Sequence, residues 1–310
     1  MPASIVIPTY NCEDYIEVNL TRLICLIPKN AEIIIVDDGS TDDTIKIIKR
    51  LKSSTIRKMK LIRMEHTSPA HERNIGWRES KNDIVIFLDS DCAIGGDWYE
   101  EMLDPFREKD VVAVSGVYIT DQDQFISRYI QEQTAYRQGK VTKYTDNLAT
   151  YSLAVKKEFL EKAGGFPEDF PHASCEDTEF SYKLRKFGKF VLNRDAIVVH
   201  KHSESVMEYL KKQFTHAKYR IFMYKRGNPV KDNYTDWKIL IQPFIALVSL
   251  FFFSFYDAFM VFFGSLFAMQ VDEICNIEDF KFYVFSTFIG IVRAYVWLAG
   301  MMWWFIEFYV

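Results

Sequence analysis

The chain has 310 residues, enough for two domains, and its net charge of −4 lacks the basic surplus that nucleic-acid-binding proteins carry. We therefore expect no nucleic-acid partner. The five cysteines are odd in number and include no Cys-x-x-Cys pair, which predicts neither a disulfide framework nor a zinc cluster and fits a reducing compartment.

The N-terminus starts directly with the strand-like run PASIVIPTY. A basic segment followed by an apolar one, the pattern of a secretory signal, is not found there. We therefore expect the N-terminal domain to lie in the cytoplasm.

The first 200 residues alternate between strand and helix patterns. Apolar, β-branched runs predict strands over 3–8, 32–36, 60–63, 84–88 and 111–114. Ser40 or Thr41 is the predicted N-cap of one helix, and Ser68 followed by Pro69 predicts the start of another. This order predicts an α/β fold with a mostly parallel sheet and helices on both faces.

The predicted strand over 84–88 ends at two carboxylates, Asp89 and Asp91. In open α/β sheets, ligands bind at the carboxyl ends of the strands. Two carboxylates this close repel each other unless a cation, a base or water compensates, and Mg²⁺ or Mn²⁺ suits such oxygen ligands. The alternative is a solvated turn, since Asp and Ser favour turns.

Two helices and a strand are predicted after residue 150. The run LAVKKEFLEKAGGF has a helical pattern that Gly164 and Gly165 end. A second helix begins with an acidic first turn that contains Asp177. The run VLNRDAIVVHKH then reads as a strand that ends at His200 and His202.

The C-terminal part of the chain is strongly apolar. Residues 240–271 contain one charged residue, Asp257, and residues 282–306 contain one, Arg293. A single helix over 240–271 would be about 48 Å long, whereas the hydrocarbon core of a bilayer is about 30 Å thick. We therefore expect two or three membrane helices with a break near residues 254–257. Asp257 and Arg293 either pair with each other or reach the membrane surface.

A basic segment precedes this apolar region, and its Lys and Arg residues favour a cytoplasmic side. Within it, residues 203–226 have helical spacing and either lie along the membrane surface or form an ordinary surface helix. The predicted domains are therefore 1–202, a basic juxtamembrane region over 203–238, and a transmembrane region over 239–310.

Four motifs in this order resemble the family 2 glycosyltransferases of the GT-A fold: VIPTYN, IIVDDGSTDDT, RNIGW and FLDSD. The later runs GGF and EDTEFSYKLRKFG also match the acceptor side of that family. The resemblance covers about residues 3–202 and implies a nucleotide-sugar donor, with either a GDP or a UDP moiety.

The resemblance also implies the donor-site residues. The nucleoside would contact the first loop at Pro8, Thr9, Tyr10 and Asn11. Asp38 would read the base edge, and Arg73, in a pair with Asn74, would lie near the donor.

Asp89 and Asp91 match the DxD motif of the family. The resemblance implies that Asp91 is a direct ligand of Mg²⁺ or Mn²⁺. Asp89 would lie nearer the ribose and is a second candidate metal ligand. His200 would close the metal shell, and His202 is its rival.

Asp177 matches the catalytic base, which takes a proton from an acceptor hydroxyl in an inverting transfer. The apolar C-terminal region favours a lipid-linked acceptor and an integral membrane protein. A polyprenyl phosphate acceptor would need no base, so Asp177 favours a hydroxyl group instead.

Three alternatives stay open or are disfavoured. The enzyme could be a polyprenyl-phosphate sugar synthase, or the chain could be a non-catalytic membrane-bound sugar-nucleotide sensor. A nucleotidyltransferase is disfavoured because the first loop, PTYNCEDY, contains no glycine.

The QxxRW motif of processive polysaccharide synthases is not found in the sequence. Gln213 and Arg220 are the nearest candidates for contacts with the diphosphate or the acceptor.

Overall fold

The computed structural model describes residues 1–56, 58–65, 67–170, 174–227, 237–251, 260, 264–266, 268 and 279–309. Asp257 and the predicted helix break near residues 254–257 lie outside the described residues. The chain divides into two compact units. Unit 1 comprises residues 1–121 and 141–201, and unit 2 comprises residues 122–140 and 202–310.

Unit 1 contains a nine-stranded sheet. Its strands are β1 (Ser4–Thr9), β2 (Glu32–Asp37), β3 (Met59–Arg63), β4 (Ile84–Leu88), β5 (Cys92–Ile94), β6 (Val111–Ile119), β7 (Tyr144–Thr145), β8 (Ser152–Lys156) and β9 (Lys189–His200). The strand order is β3-β2-β1-β4-β8-β6-β9-β5, and β7 pairs with β9. Strands β1 to β4 pair in parallel, as does β6 with β9. Strand β8 is antiparallel to both of its neighbours, so the sheet is mixed.

Six helices of unit 1 cover both faces of this sheet. They are α1 (Ile16–Leu26), α2 (Thr44–Ser54), α3 (Pro69–Arg78), α4 (Trp98–Leu103), α6 (Lys157–Ala163) and α7 (Glu176–Leu184). Alternate residues of a strand point to opposite faces, and the core follows that rule. On one face the strands pack against α1, α2 and α4, and on the other against α3, α6 and α7. This arrangement confirms the predicted α/β fold.

Unit 2 is built from helices. They are α5 (Phe125–Gly139), α8 (Val206–Lys225), α9 (Trp237–Phe251) and α10 (Phe280–Tyr309). One cluster joins Ile126 and Tyr129 of α5 to Tyr209 of α8 and to Phe282 and Ile289 of α10. Helix α5 therefore packs with the C-terminal helices within this unit.

One helix within the described residues is long and apolar enough to cross a membrane, at Phe280–Glu307. Half of the most apolar 18 residues of this helix are buried within the protein. A shorter apolar helix covers Ile241–Leu250. Arg293, in the long helix, is buried and donates a hydrogen bond to Gln242 Oε1 at 3.1 Å. Asp257 lies outside the described residues, so its predicted pairing with Arg293 stays a prediction.

Two local predictions were wrong. Helix α2 begins after Asp43 rather than after Ser40 or Thr41, because the Ser40 hydroxyl accepts a hydrogen bond from the Asn11 amide. The Thr41 amide donates to Asn11 Oδ1. Residues 153–156, which were read as part of a helix, belong instead to β8, between β4 and β6.

Candidate active site

The carboxyl ends of β1, β2 and β4 bring predicted donor-site residues to one edge of the sheet. Strand β1 pairs in parallel with both β2 and β4, so the segments that follow these strands leave the sheet on the same side. Tyr10 and Asn11 follow β1, Asp38 follows β2, and Asp89 follows β4. This is the edge at which open α/β sheets bind ligands.

The side chains of the first loop differ in their surroundings. Pro8 and Thr9 are buried at the end of β1, and the Thr9 hydroxyl donates to the Ile7 carbonyl at 3.1 Å. Asn11 has a φ of 43°, in the left-handed region that Asn tolerates better than most residues. Tyr10 is 44% exposed, so its ring is open to a ligand, whereas Thr9 is buried and Asn11 Oδ1 accepts a hydrogen bond from the Thr41 amide at 2.8 Å.

Asp38 is buried and held in a fixed position. Its Oδ1 atom accepts hydrogen bonds from the Thr67 amide at 2.8 Å and from the Thr67 hydroxyl at 3.1 Å. The Asp38 amide donates to the Thr9 carbonyl at 2.9 Å. These bonds connect the end of β2 to the first loop and to the turn before α3.

Arg73, in α3, lies between two carboxylates. It is 4% exposed; its Nη2 donates to Asp89 Oδ1 at 2.8 Å, and its Nη1 donates to Glu176 Oε1 at 3.4 Å. Burial alone would lower the pKa of Arg73, but the charges of Asp89 and Glu176 outweigh burial and raise it. Arg73 thus links the end of β4 to the start of α7 through both terminal nitrogens.

Asn74, the partner of Arg73 in the RNIGW motif, binds the loop that contains GGF. Its Nδ2 donates to the Phe166 carbonyl at 2.9 Å and to Glu168 Oε1 at 2.6 Å, and its Oδ1 accepts from the Phe166 amide at 2.9 Å. Gly165 has a φ of +78°, and a Cβ atom there would lie 2.3 Å from Asn74 Oδ1. Asn74 therefore positions this loop within unit 1.

The first turn of α7 carries Glu176, Asp177 and Glu179, as the sequence predicts. Its N-cap, Cys175, has a φ of 66°, in the left-handed region that usually favours glycine. Glu176 is buried and accepts a hydrogen bond from the Ser174 amide at 2.6 Å. Burial and the charge of Asp177 raise the pKa of Glu176 to about 7, although Arg73 opposes this shift.

Asp177 itself is half-buried at the start of the helix. Its Oδ1 atom accepts hydrogen bonds from the Thr178 amide at 2.6 Å and from the Thr178 hydroxyl at 3.3 Å. These bonds fix the carboxylate at the N-terminus of α7.

Asp91 and His200 lie next to each other. Strands β5 and β9 pair so that Cys92 stands opposite His200, and His200 Nε2 lies 3.4 Å from Asp91 Oδ2. The His200 ring stacks on Tyr118 with 5.2 Å between ring centroids. His202, the rival candidate, belongs to unit 2, where its ring bonds to Gln131 Oε1 at 3.3 Å.

The Asp91–His200 pair has a donor set that suits a divalent cation. Asp91, Cys92 and His200 each offer one ligand atom, and these three atoms lie within 4.8 Å of one another. Adjacent ligands of an octahedral ion with bonds of about 2.1 Å are about 3 Å apart, close to the Asp91–His200 separation. Asp89 is not in this group and instead accepts from Arg73.

Sequence reasoning missed two buried acids of this region, Glu72 and Glu176, as donor-edge residues. Glu72 precedes Arg73 in α3, and its Oε2 accepts from the Thr9 amide at 2.8 Å. In the sequence, Glu72 directly precedes Arg73 and Glu176 directly precedes Asp177, and this proximity was the available sign of a role at the site. Their burial depends on contacts between distant segments, which the sequence pattern does not give.

The chain is similar in sequence to known glycosyltransferases. Residues 4–162, just over half of the chain, match the family described as Glycosyl transferase family 2. An uncharacterized glycosyltransferase of Haemophilus influenzae is 34% identical over 115 residues, which cover 37% of this chain and 46% of that protein.

A second relative comes from Escherichia coli. It is named UDP-Glc:alpha-D-GlcNAc-diphosphoundecaprenol beta-1,3-glucosyltransferase WfaP, and it is 30% identical over 178 residues, 56% of this chain and 66% of that protein. Both matches therefore span less than two thirds of the relative's own length.

Among solved structures, the mannosyltransferase PcManGT from Pyrobaculum calidifontis, in complex with GDP-Man and Mn²⁺, has a TM-score of 0.69. The match covers 97% of this chain and 87% of that one. At 18% sequence identity, this likeness shows the fold.

Proposed function

Since this chain belongs to glycosyl transferase family 2 and is a glycosyltransferase that uses a nucleotide sugar, we propose that it is an inverting, metal-dependent enzyme acting on a lipid-linked acceptor. The acceptor group is a hydroxyl. The observation that carries this proposal is the contact of 3.4 Å between His200 Nε2 and Asp91 Oδ2. Asp89, two residues before Asp91, is joined through Arg73 to Glu176 at the start of α7.

The donor occupies the edge formed by the ends of β1, β2 and β4. Pro8, Thr9, Tyr10 and Asn11 surround the nucleoside, and the Asp38 carboxylate accepts hydrogen bonds from base N–H groups or ribose hydroxyls. The donor carries GDP or UDP. Support comes from the P. calidifontis neighbour, which was solved with GDP-Man, and from the name of the E. coli relative, which specifies UDP-Glc.

Asp91 and His200 are the residues that would hold Mg²⁺ or Mn²⁺, with Asp89 as a further candidate ligand and ribose contact. Such a cation acts as a Lewis acid that offsets the negative charge on the departing nucleoside diphosphate. Arg73 keeps Asp89 in position by its hydrogen bond of 2.8 Å. The Mn²⁺ in the P. calidifontis structure supports a divalent cation.

Asp177 is the general base. It accepts the proton of the acceptor hydroxyl while that oxygen forms a bond to the anomeric carbon, and the bond from that carbon to the diphosphate oxygen breaks. The attack comes from the face opposite the leaving group, so the anomeric configuration inverts. Thr178 holds the Asp177 carboxylate through two hydrogen bonds.

The acceptor is a sugar on a lipid carrier, and the protein is an integral membrane protein with its catalytic domain on the cytoplasmic face. The long apolar helix at Phe280–Glu307 and the diphosphoundecaprenol in the name of the E. coli relative support this part. In this proposal, residues 1–202 form the transferase domain, 203–238 the juxtamembrane region and 239–310 the membrane region.

The test is transfer of labelled sugar from GDP- and UDP-sugars to a membrane lipid extract. Asp177→Asn should lower kcat by a factor of about 10² to 10⁴ with little change in the donor KM, because it removes the general base. Glu158→Gln, in the exposed first turn of α6, is the matched control and should retain activity.

Two results would contradict the proposal. Full turnover in Asp177→Asn would favour a polyprenyl phosphate acceptor, which needs no base. Binding of the nucleotide sugar without transfer to any lipid fraction would favour a sensor.

A further inference from the structure

Glu72 occupies an unusual position at the donor edge. It lies in α3, is 3% exposed, and its Oε2 atom accepts a hydrogen bond from the Thr9 amide at 2.8 Å. Thr9 is the last residue of β1 and belongs to the loop assigned to the nucleoside. The Glu72 side chain therefore ties α3 to the backbone at which this loop begins.

The Thr9 amide lies where β1 ends beside β2. Thr9 stands opposite Asp37 in the parallel pairing of β1 with β2, and its carbonyl accepts a hydrogen bond from the Asp38 amide at 2.9 Å. The N–H and C=O groups of one strand residue point to the same neighbouring strand, so the Thr9 amide faces β2. Glu72 adds a side-chain acceptor for this amide from α3, at 2.8 Å.

The electrostatic surroundings of Glu72 are mostly unfavourable for a charge. Burial raises the pKa of Glu72 to about 8; the charges of Asp38 and Asp89 add to this shift, whereas Arg73 and the bond from Thr9 oppose it. Near neutral pH the carboxyl group is therefore mainly protonated. It still accepts from the Thr9 amide, but it adds no negative charge to an edge where a diphosphate binds.

We propose that Glu72 is a positioning residue of the donor site, which sets the backbone of residues 9–11 so that the first loop meets the nucleoside. This inference rests on the proposed function, because it assigns the first loop to the donor. Glu72 acts through the loop and takes no part in the bond-forming step.

The proposal gives a pH dependence with a definite sign. As the pH rises through about 8, Glu72 loses its proton and becomes negative beside Asp38 and Asp89. The added charge repels an anionic nucleotide, so affinity falls above pH 8. A glutamine at this position keeps an acceptor for the Thr9 amide and has no proton to lose.

The experiment is calorimetric titration of UDP and of GDP, with Mn²⁺, into the wild type and three variants. Glu72→Ala should weaken nucleotide binding about tenfold, because it removes the hydrogen bond that links α3 to the Thr9 amide. Glu72→Gln should bind within about threefold of the wild type at pH 7. Glu79→Gln, an exposed residue at the C-terminal end of α3, is the control and should bind as the wild type does.

The same titration at pH 7 and pH 9 isolates the titrating group. The wild type and Glu79→Gln should lose affinity over this interval by more than Glu72→Gln does, since changes in the nucleotide and the metal are common to all three proteins. Thermal unfolding checks that each variant is folded. If Glu72→Ala does not fold, the comparison of Glu72→Gln with the wild type decides alone.

Equal affinity of Glu72→Ala and the wild type would overturn the positioning role. Parallel pH profiles for Glu72→Gln and the wild type would do the same. Failure of the wild type and of the Glu79→Gln control to bind either nucleotide is a different pattern: it would overturn the proposed function, and this role with it.

Discussion

At the residue scale, Arg73 is a buried charge with two carboxylate partners. Its guanidinium group is buried and binds Asp89 and Glu176, which are separated by almost ninety positions in the sequence yet meet on this one side chain. Removal of one partner of a buried ion pair leaves the other charge uncompensated. The stability of this edge should therefore depend strongly on Arg73.

Arg73→Ala should lower the free energy of unfolding by about 3–5 kcal/mol, because two carboxylates lose their buried counter-charge. Urea unfolding of the purified protein measures this change. Arg50→Ala is the matched control: Arg50 pairs with Glu17 on the surface, where an ion pair contributes below about 1 kcal/mol. Equal losses for the two variants would contradict the role of Arg73 as a buried link.

The sequence predicted the location of Asp89 and Asp91 because a buried apolar run that stops at carboxylates marks the end of a strand. It also predicted the acidic first turn that contains Asp177. The contact between Arg73 and Glu176 spans 103 positions, so no local pattern could reveal it. Glu72 was missed for the same reason, since its contact with Thr9 spans 63 positions.

At the element scale, helix ends were predicted well where the cap is local. Ser68 caps α3 by accepting from the His71 amide, with Pro69 at the first helical position, as its sequence indicated. The start of α2 was misplaced because Ser40 and Thr41 bond to Asn11, about thirty residues away. Tertiary contacts thus displaced a capping signal that was locally sound.

The pair Gly164 and Gly165 after α6 offers a matched test of the loop that Asn74 holds. Both glycines have a positive φ, but a Cβ atom at Gly164 meets nothing within 4 Å, whereas at Gly165 it would lie 2.3 Å from Asn74 Oδ1. Gly164→Ala should therefore lower the free energy of unfolding by about 1–2 kcal/mol, from backbone strain alone.

Gly165→Ala should lower the free energy of unfolding by about 2–4 kcal/mol, because the steric conflict with Asn74 adds to the same strain. Chemical denaturation of both variants measures the difference. If Gly164→Ala and Gly165→Ala unfold with the same free energy, Asn74 does not hold this loop as described.

At the scale of the whole molecule, the unexpected feature is α5. The sequence assigned all of the first 202 residues to one domain, yet α5 packs with α8 and α10 within unit 2. A chain segment that leaves one compact unit and joins another has no signature in composition or periodicity. Strands β1, β2 and β4, in contrast, could be predicted because they form continuous apolar runs, whereas β8, between β4 and β6, was read as part of a helix.

The long apolar helix gives a prediction about membrane insertion. Phe288 is 62% exposed on α10 within the candidate span, and Phe280 is 77% exposed at its start. Phe288→Asp should reduce the fraction of protein recovered with membranes, because a charge inside a bilayer costs about 3 kcal/mol. Phe280→Asp, at the helix end, should have a smaller effect.

Membrane fractionation followed by carbonate extraction measures both variants. Equal recovery of Phe288→Asp, Phe280→Asp and the wild type in the carbonate-resistant fraction would contradict a span at this helix.

The most direct test of the account is release of nucleoside diphosphate from GDP- and UDP-sugars by purified protein, with and without Mn²⁺, beside Asp91→Ala. We expect metal-dependent release from one donor with added lipid extract, and loss of that release in Asp91→Ala, because Asp91 and His200 are the proposed metal ligands. Release that is independent of the metal, or equal in Asp91→Ala, would contradict it.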